Sequence, residues 1–301
     1  MDYEELLISK VAWYYYFENL TQKNISELLG ISRMKVIKLL EKAQETGVIQ
    51  FRFNTKNMNR IELEQELKDA FNLKDVFIVP ANPNPSKANA TIAKAASLYI
   101  SDRLTENCFI NIGYGDTISK TINHLVKDSP FNISFVSLTG GVNYYLENLN
   151  NNLSTAKFHL LPAPLLASTK EMVDALNNET LVKDISRLIK LSSTTIIGIG
   201  SLDDNCTISK TGILNKNDLL YLEMQGAVGD ILSHFINFEG NLVSTHYESR
   251  LISTPLEILK ELDNVIGIAC GTQKVKAIKA VLKGGYLDVL ITDEATALQL
   301  I

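Results

Sequence analysis

Short, largely apolar runs at residues 76–79, 109–112, 134–138, 195–199, 265–269 and 289–291 recur through the chain beyond residue 60, with helix-length stretches between them. Runs of this length and hydrophobicity have no polar face to turn to water. They need helices on both sides, and segments such as 90–103, 170–191 and 272–282 supply the cover. The pattern predicts an α/β domain with a Rossmann-like parallel sheet. Several of these runs end in turn-forming residues. Gly113, Tyr114, Gly115, Asp116 and Thr117 follow 109–112, and Thr139, Gly140 and Gly141 follow 134–138. Pro162, Ala163 and Pro164 follow an apolar run at 158–161, and Gly200 and Ser201 follow 195–199. In an open parallel sheet the ligand crevice lies outside the carboxyl ends of the strands, so these turns are expected to line one pocket.

The first of them has a specific use. Gly113 and Gly115 let backbone N–H groups approach an anion, Thr117 adds a hydroxyl, and the helix expected over 118–125 presents its positive end. By themselves the glycines read as a tight strand–helix turn. Their position between a buried strand and a helix favours a phosphate.

Residues 20–40 carry a different spacing. Ser26, Gly30 and Val36 occupy the crossing, turn and packing positions of two helices meeting at a sharp angle, and Ile25, Leu28, Ile31, Leu39 and Leu40 give the apolar faces. Thr21 and Ser32 are suited to cap the two helix starts, and Gly30 and Gly47 to end them. This is a helix-turn-helix pattern, with a recognition helix over 33–46. Ser32, Arg33, Lys35 and Lys38 are its candidate contacts to double-stranded operator DNA, and Lys42 extends the basic face. The run 48–53 alternates like a strand and suggests a small wing. A helix over 3–18 precedes the motif, and its aromatic residues, from Trp13 to Phe17, are expected in the core and in packing against a second copy.

Charge confines DNA contact to this end. Lys and Arg outnumber Asp and Glu by 8 to 7 up to Lys56, and fall behind by 21 to 27 beyond it. The expected organisation is a helix-turn-helix domain at 1–53, a polar linker at 54–59 and an effector-binding and oligomerisation domain at 60–301. Three scattered cysteines and four histidines without ligand spacing suggest no disulfide framework, metal or cofactor. No apolar run reaches membrane-spanning length and no signal peptide is evident, so a cytoplasmic protein without a membrane partner is expected.

The chain resembles the SorC family of sugar-responsive bacterial regulators at 20–50, 113–117, 138–142, 162–168, 226–231 and 283–294. The resemblance implies an effector domain related to sugar-phosphate isomerases but without catalysis, and assembly as dimers or tetramers. It also implies operator binding that is controlled by a phosphorylated sugar-like effector, with phosphorylated autoinducer-2 as a candidate and repression as the mode. It further implies that Asp230 accepts hydrogen bonds from ligand hydroxyls and that Lys274 faces the ligand. From the residues alone, Asp230 reads equally as a helix N-cap, and Lys274 as a solvated lysine. Two departures stand out. Residues 36–40 read Val-Ile-Lys-Leu-Leu where the family often has Val-Ser-Arg-Leu-Leu, which bears on operator specificity. Cys270 replaces a glycine ahead of the lysine-bearing helix and is expected to narrow the pocket. The alternatives are a regulator of another polyol or pentose-phosphate operon, or an isomerase-like enzyme. The enzyme lacks an evident acid/base pair.

Overall fold

The computed structural model describes residues 3–49, 55–82, 84, 87–146, 156–203, 206–210 and 212–301. The chain divides into a compact unit up to Met58 and a second from Asn59.

The first unit contains α1 (Tyr3–Tyr16), α2 (Gln22–Leu29) and α3 (Arg33–Glu45). Both expected caps form. The Thr21 hydroxyl accepts from the Asn24 N–H, and the Ser32 hydroxyl from the Lys35 N–H. Gly30 ends α2 at φ 65°, in the left-handed region where a side chain would be strained. The core joins Leu7, Ile8 and Val11 of α1 to Ile25 of α2 and Val36, Leu39 and Leu40 of α3. Leu28, expected on the apolar face of α2, points to solvent at 58 % exposure, and its neighbour Leu29 packs instead. The aromatic run is split by the helical period. Tyr14 and Tyr15 lean on the core, whereas Trp13 and Phe17, four residues apart, stack on each other outside it with ring centroids 4.0 Å apart.

The polar stretch at 54–59 is not a linker over its described part. Helix α4 (Thr55–Phe71) begins within it. Asn54 lies outside the described residues, as does 50–53 of the expected wing strand; Val48 and Ile49 form a bend.

The second unit holds a seven-stranded sheet built from β1 (Asp75–Val79), β2 (Cys108–Ile112), β3 (Ile133–Ser137), β4 (Lys157–His159), β5 (Thr194–Gly198), β8 (Val265–Ile268) and β9 (Val289–Asp293). Their spatial order is β1-β9-β8-β5-β2-β3-β4, and every pairing is parallel. Helices α5 (Ala88–Ser101) and α6 (Asp116–Asp128) cover one face through Ile92, Ile100, Ile118 and Leu125. The other face packs against Leu67 of α4, Ile189 and Ile278. Fully burying an isoleucine or leucine side chain contributes about 1.5–3 kcal/mol, so both layers are held strongly. The helix expected over 170–191 is broken at Glu179 into Lys170–Asn178 and Thr180–Leu191.

Strand β2 carries one fully buried polar side chain, Asn111. Its amide donates to the Ile189 carbonyl at 2.9 Å and to the Thr195 hydroxyl at 3.1 Å. Thr195 is its register partner on β5.

Outside the sheet, β6 (Ala227–Ile231) and β7 (His234–Asn237) form an antiparallel hairpin. Its tip is Leu232 at φ 53° and Ser233 at φ 66°, both in the left-handed region.

Candidate functional site

The chain leaves β2 towards β3 on one side of the sheet and leaves β5 towards β8 on the other. The adjacent carboxyl ends of β2 and β5 therefore form the topological switch point, where loops diverge and leave a crevice. A cavity of about 680 Å³ lies there, of a size for a small ligand.

The loop after β2 forms one wall. Gly115, at φ 128°, precedes α6, whose first turn faces the cavity. The opening N–H groups of a helix have no partner within it and carry the positive end of its dipole. Gly113 acts differently from expectation. Its N–H is taken by the Ile196 carbonyl at 2.9 Å, which continues the sheet ladder. The missing side chain makes room instead, because a Cβ there would sit 3.2 Å from Leu232 Cδ2. Asp116 turns from the loop towards its own helix, where it accepts from Lys120 at 2.6 Å and from Asn89 of α5 at 3.0 Å. Burial alone would raise its pKa. The bonds from Lys120 and Asn89, with the charges of Lys120 and Lys210, outweigh that and hold the carboxyl below its usual range.

The opposite wall comes from the hairpin and the loop after β5. Asp230 lies on β6, not at a helix start, and exchanges both backbone hydrogen bonds with Gly200. A Cβ on Gly200 would collide with the Asp230 carboxylate, so that glycine is needed for the close approach. Desolvation by the surrounding protein pushes the Asp230 carboxyl up to about 6, against the Ser233 N–H bond and the charges of Lys274 and His234, which pull it down. The Lys274 ammonium donates to the Ile199 carbonyl at 2.9 Å and lines the same cavity. Tyr114 crosses from the first wall to the second, its hydroxyl 2.7 Å from that of Ser233.

Gly113, Tyr114, Gly115, Asp116, Thr117, Asp230 and Lys274 are thus brought around one space. The turn at Gly200 and Ser201 joins them, whereas the turns after β3 and β4 do not. Thr139, Gly140, Gly141, Pro162 and Ala163 are absent from the cavity lining. They follow β3 and β4, which lie at the sheet edge away from β5, and they pack on one another. The Gly141 N–H donates to the Ala163 carbonyl at 2.8 Å, the Gly140 N–H to the Ile252 carbonyl at 2.9 Å, and a Cβ on Gly140 would strike the Pro164 carbonyl. Nor does Cys270 narrow the cavity. Its thiol is buried, pushed up to about 11 by desolvation, and turned to Asn89. Lining residues missed in the sequence include Asn89, Lys210, Ser233 and Gln273. Asn89 and Lys210 lie on helices, Gln273 lies in the turn that opens at Gly271, and the hairpin that presents Ser233 was not expected.

In the first unit Ser32, Arg33, Lys35 and Lys38 all lie exposed at the start and along one side of α3. The Arg33 Nε donates to Gln22 of α2 at 3.4 Å, and Lys42 pairs with Glu4 of α1 at 2.6 Å. Among the described residues no helix is long and apolar enough to cross a membrane.

A helical N-terminal unit ahead of a parallel α/β unit with a polar cavity at its switch point is the architecture of a ligand-responsive regulator. Residues 55–301 match the family model described as "Putative sugar-binding domain", and the chain belongs to that family and to the SorC family of transcriptional regulators. Within it the chain is Lsr-like. It is 35 % identical to "Transcriptional regulator LsrR" of Enterobacter sp. (strain 638), over 98 % of this chain and 92 % of that protein. Against the protein of that name from Escherichia coli (strain K12) the identity is 33 %, over 98 % and 94 %. The full-length sorbitol operon regulator SorC from Klebsiella pneumoniae superposes with a TM-score of 0.71 at 25 % identity, covering 100 % of both chains. A DeoR family transcriptional regulator from Listeria monocytogenes gives 0.72 at 26 %, covering 80 % of this chain and 99 % of its own.

Proposed function

We propose that this regulator is a repressor that holds operator DNA through a helix-turn-helix formed by α2 and α3, and lets go when a phosphorylated sugar-like effector fills the cavity. The carrying observation is the pairing, in one cavity, of an anion-receptive helix start at Gly115–Thr117 with a hydroxyl-receptive carboxylate, Asp230, beside Lys274. A phosphate takes several charge-assisted hydrogen bonds at the first, and the ligand hydroxyls donate at the second. Phosphorylated autoinducer-2 is the effector the Lsr-like sequence favours, and the protein works as a dimer or tetramer. At the DNA, Arg33 reaches base edges while Lys35 and Lys38 meet phosphates.

The test is one ligand with and without its phosphate. Autoinducer-2 and its phosphorylated form are titrated into the protein–operator complex, with release followed by fluorescence anisotropy. Release by the phosphorylated form alone is expected. Equal potency of the two forms removes the phosphate from the reading.

A further inference from the structure

The tip of the β6–β7 hairpin breaks a local rule. A two-residue turn with both residues at positive φ is ordinarily built from Asn-Gly or Asp-Gly, because other side chains crowd the backbone there. Here it is Leu232 and Ser233, at φ 53° and 66°. Such strain persists only where the surroundings over-determine it, and it gathers at ligand sites. Three hydrogen bonds hold the tip. The Ser233 N–H donates to Asp230 Oδ2 at 3.1 Å, the Ser233 and Tyr114 hydroxyls share a bond of 2.7 Å, and the Ser253 hydroxyl donates to the Leu232 carbonyl at 2.9 Å. The Leu232 side chain occupies the space that Gly113 leaves open. Of these contacts only the bond to Tyr114 uses the serine side chain. A glycine at 233 would keep the backbone bond to Asp230 and relieve the strain, at the loss of the bond to Tyr114.

What the serine adds is a hydroxyl, on a residue that lines the cavity, is 3 % exposed and donates its backbone N–H to the Asp230 carboxylate. Whichever hydroxyl donates in the bond with Tyr114, the Ser233 oxygen keeps at least one lone pair. The carboxylate offers its own oxygens alongside. Two acceptors on residues three apart, drawn together by the Ser233 N–H bond to Asp230, match two neighbouring O–H donors.

We infer that Asp230 and Ser233 form a subsite for an adjacent pair of hydroxyls, and that Ser233 selects ligands carrying both over analogues that lack one. This rests on the cavity being the effector site. A site that pairs its polar groups with a substrate hydroxyl rejects the analogue without it, because a buried acceptor is then left unmatched.

Calorimetry on the full chain tests this with two ligand pairs. One is D-ribose 5-phosphate and 2-deoxy-D-ribose 5-phosphate. The other is phosphorylated autoinducer-2 and its analogue with one adjacent hydroxyl replaced by hydrogen. The wild type is expected to prefer the fully hydroxylated member of the pair it binds by about tenfold or more. Ser233→Ala should bring that ratio close to one, because it weakens the fully hydroxylated member more than the deoxy one. Ser233→Gly, which relieves the backbone strain, should lose the same preference while still binding operator DNA without ligand, which separates recognition from folding. A wild-type preference kept intact in both variants overturns the role of Ser233 and leaves the cavity reading standing. A wild type that binds none of the four compounds overturns both.

Discussion

Replacing Asp230 with asparagine should make the ligand-free protein more stable at neutral pH and insensitive to its effector. Burial raises this carboxyl from 3.8 to about 6. The folded protein therefore holds the proton more tightly than the unfolded chain does. The group's contribution to stability is fully present below the unfolded pKa and is lost as pH rises through the folded one. At about 1.4 kcal/mol for each tenfold change in proton affinity, the full loss is about 3 kcal/mol near pH 7.5, and about 1 kcal/mol has gone by pH 4.5. Asparagine carries no charge to desolvate, and its carbonyl can still accept from the Ser233 N–H. Urea unfolding of both proteins at these two pH values isolates the effect, because every other titrating group is common to both. The stability advantage of Asp230→Asn should widen by about 2 kcal/mol from the lower to the higher pH. A constant advantage would mean that the carboxyl is not held in a desolvated setting. A shrinking one would mean that Lys274 and His234 stabilise the carboxylate by more than burial costs it. In calorimetry the variant should lose about 2–5 kcal/mol of effector affinity.

Gly200→Ala should displace the Asp230 carboxylate, lowering both effector affinity and melting temperature; calorimetry with an unchanged ligand isotherm would refute it. Alanine at Arg33, Lys35 and Lys38 together should abolish operator preference and, through the two lysines, flatten the salt dependence of DNA binding by up to about 2 in slope per protomer. Because all three are exposed, far-ultraviolet circular dichroism should not change. A fragment of residues 55–301 should fold and bind effector without DNA. One that begins at residue 60 cuts α4 inside its second turn and should melt at a lower temperature.

The sheet was legible because parallel strands covered on both faces leave no polar alternation to obscure them. The runs at 76–79, 109–112 and 195–199 each fall within an observed strand or one residue beyond it. The helix caps at Thr21 and Ser32 were equally readable, since capping is a local matter between a side chain and an N–H three residues on. Which turns share a cavity is not local. It depends on strand order, and nothing in the turn at 139–141 reveals that β3 lies on the far side of β2 from β5. The β6–β7 hairpin was hidden for a different reason. Its tip is Leu-Ser, without the Asn or Gly that signals such a turn, so Ser233 could not be anticipated. The polar composition at 54–59 suggested a linker, but asparagine, lysine and methionine in a first turn are compatible with a helix when the following residues propagate it.

Asn111 carries a consequence for how the cavity measures a ligand. Its amide pegs β2 to its register partner on β5 and to the end of the helix Thr180–Leu191 in one group. Those two strands end in the loops that face each other across the cavity. Sliding one strand past the other by a single residue would shift the two rims by about 3.3 Å, roughly the span of two bonds in a ligand. A polar peg in an otherwise greasy interface penalises that slip more sharply than apolar side chains would, because a displaced amide loses both partners at once. On the proposed reading of the cavity, the distance between its anion-holding end and its hydroxyl-holding end is therefore set by the sheet itself. Ligands one carbon longer or shorter should then be discriminated by the scaffold before any side chain in the cavity has moved.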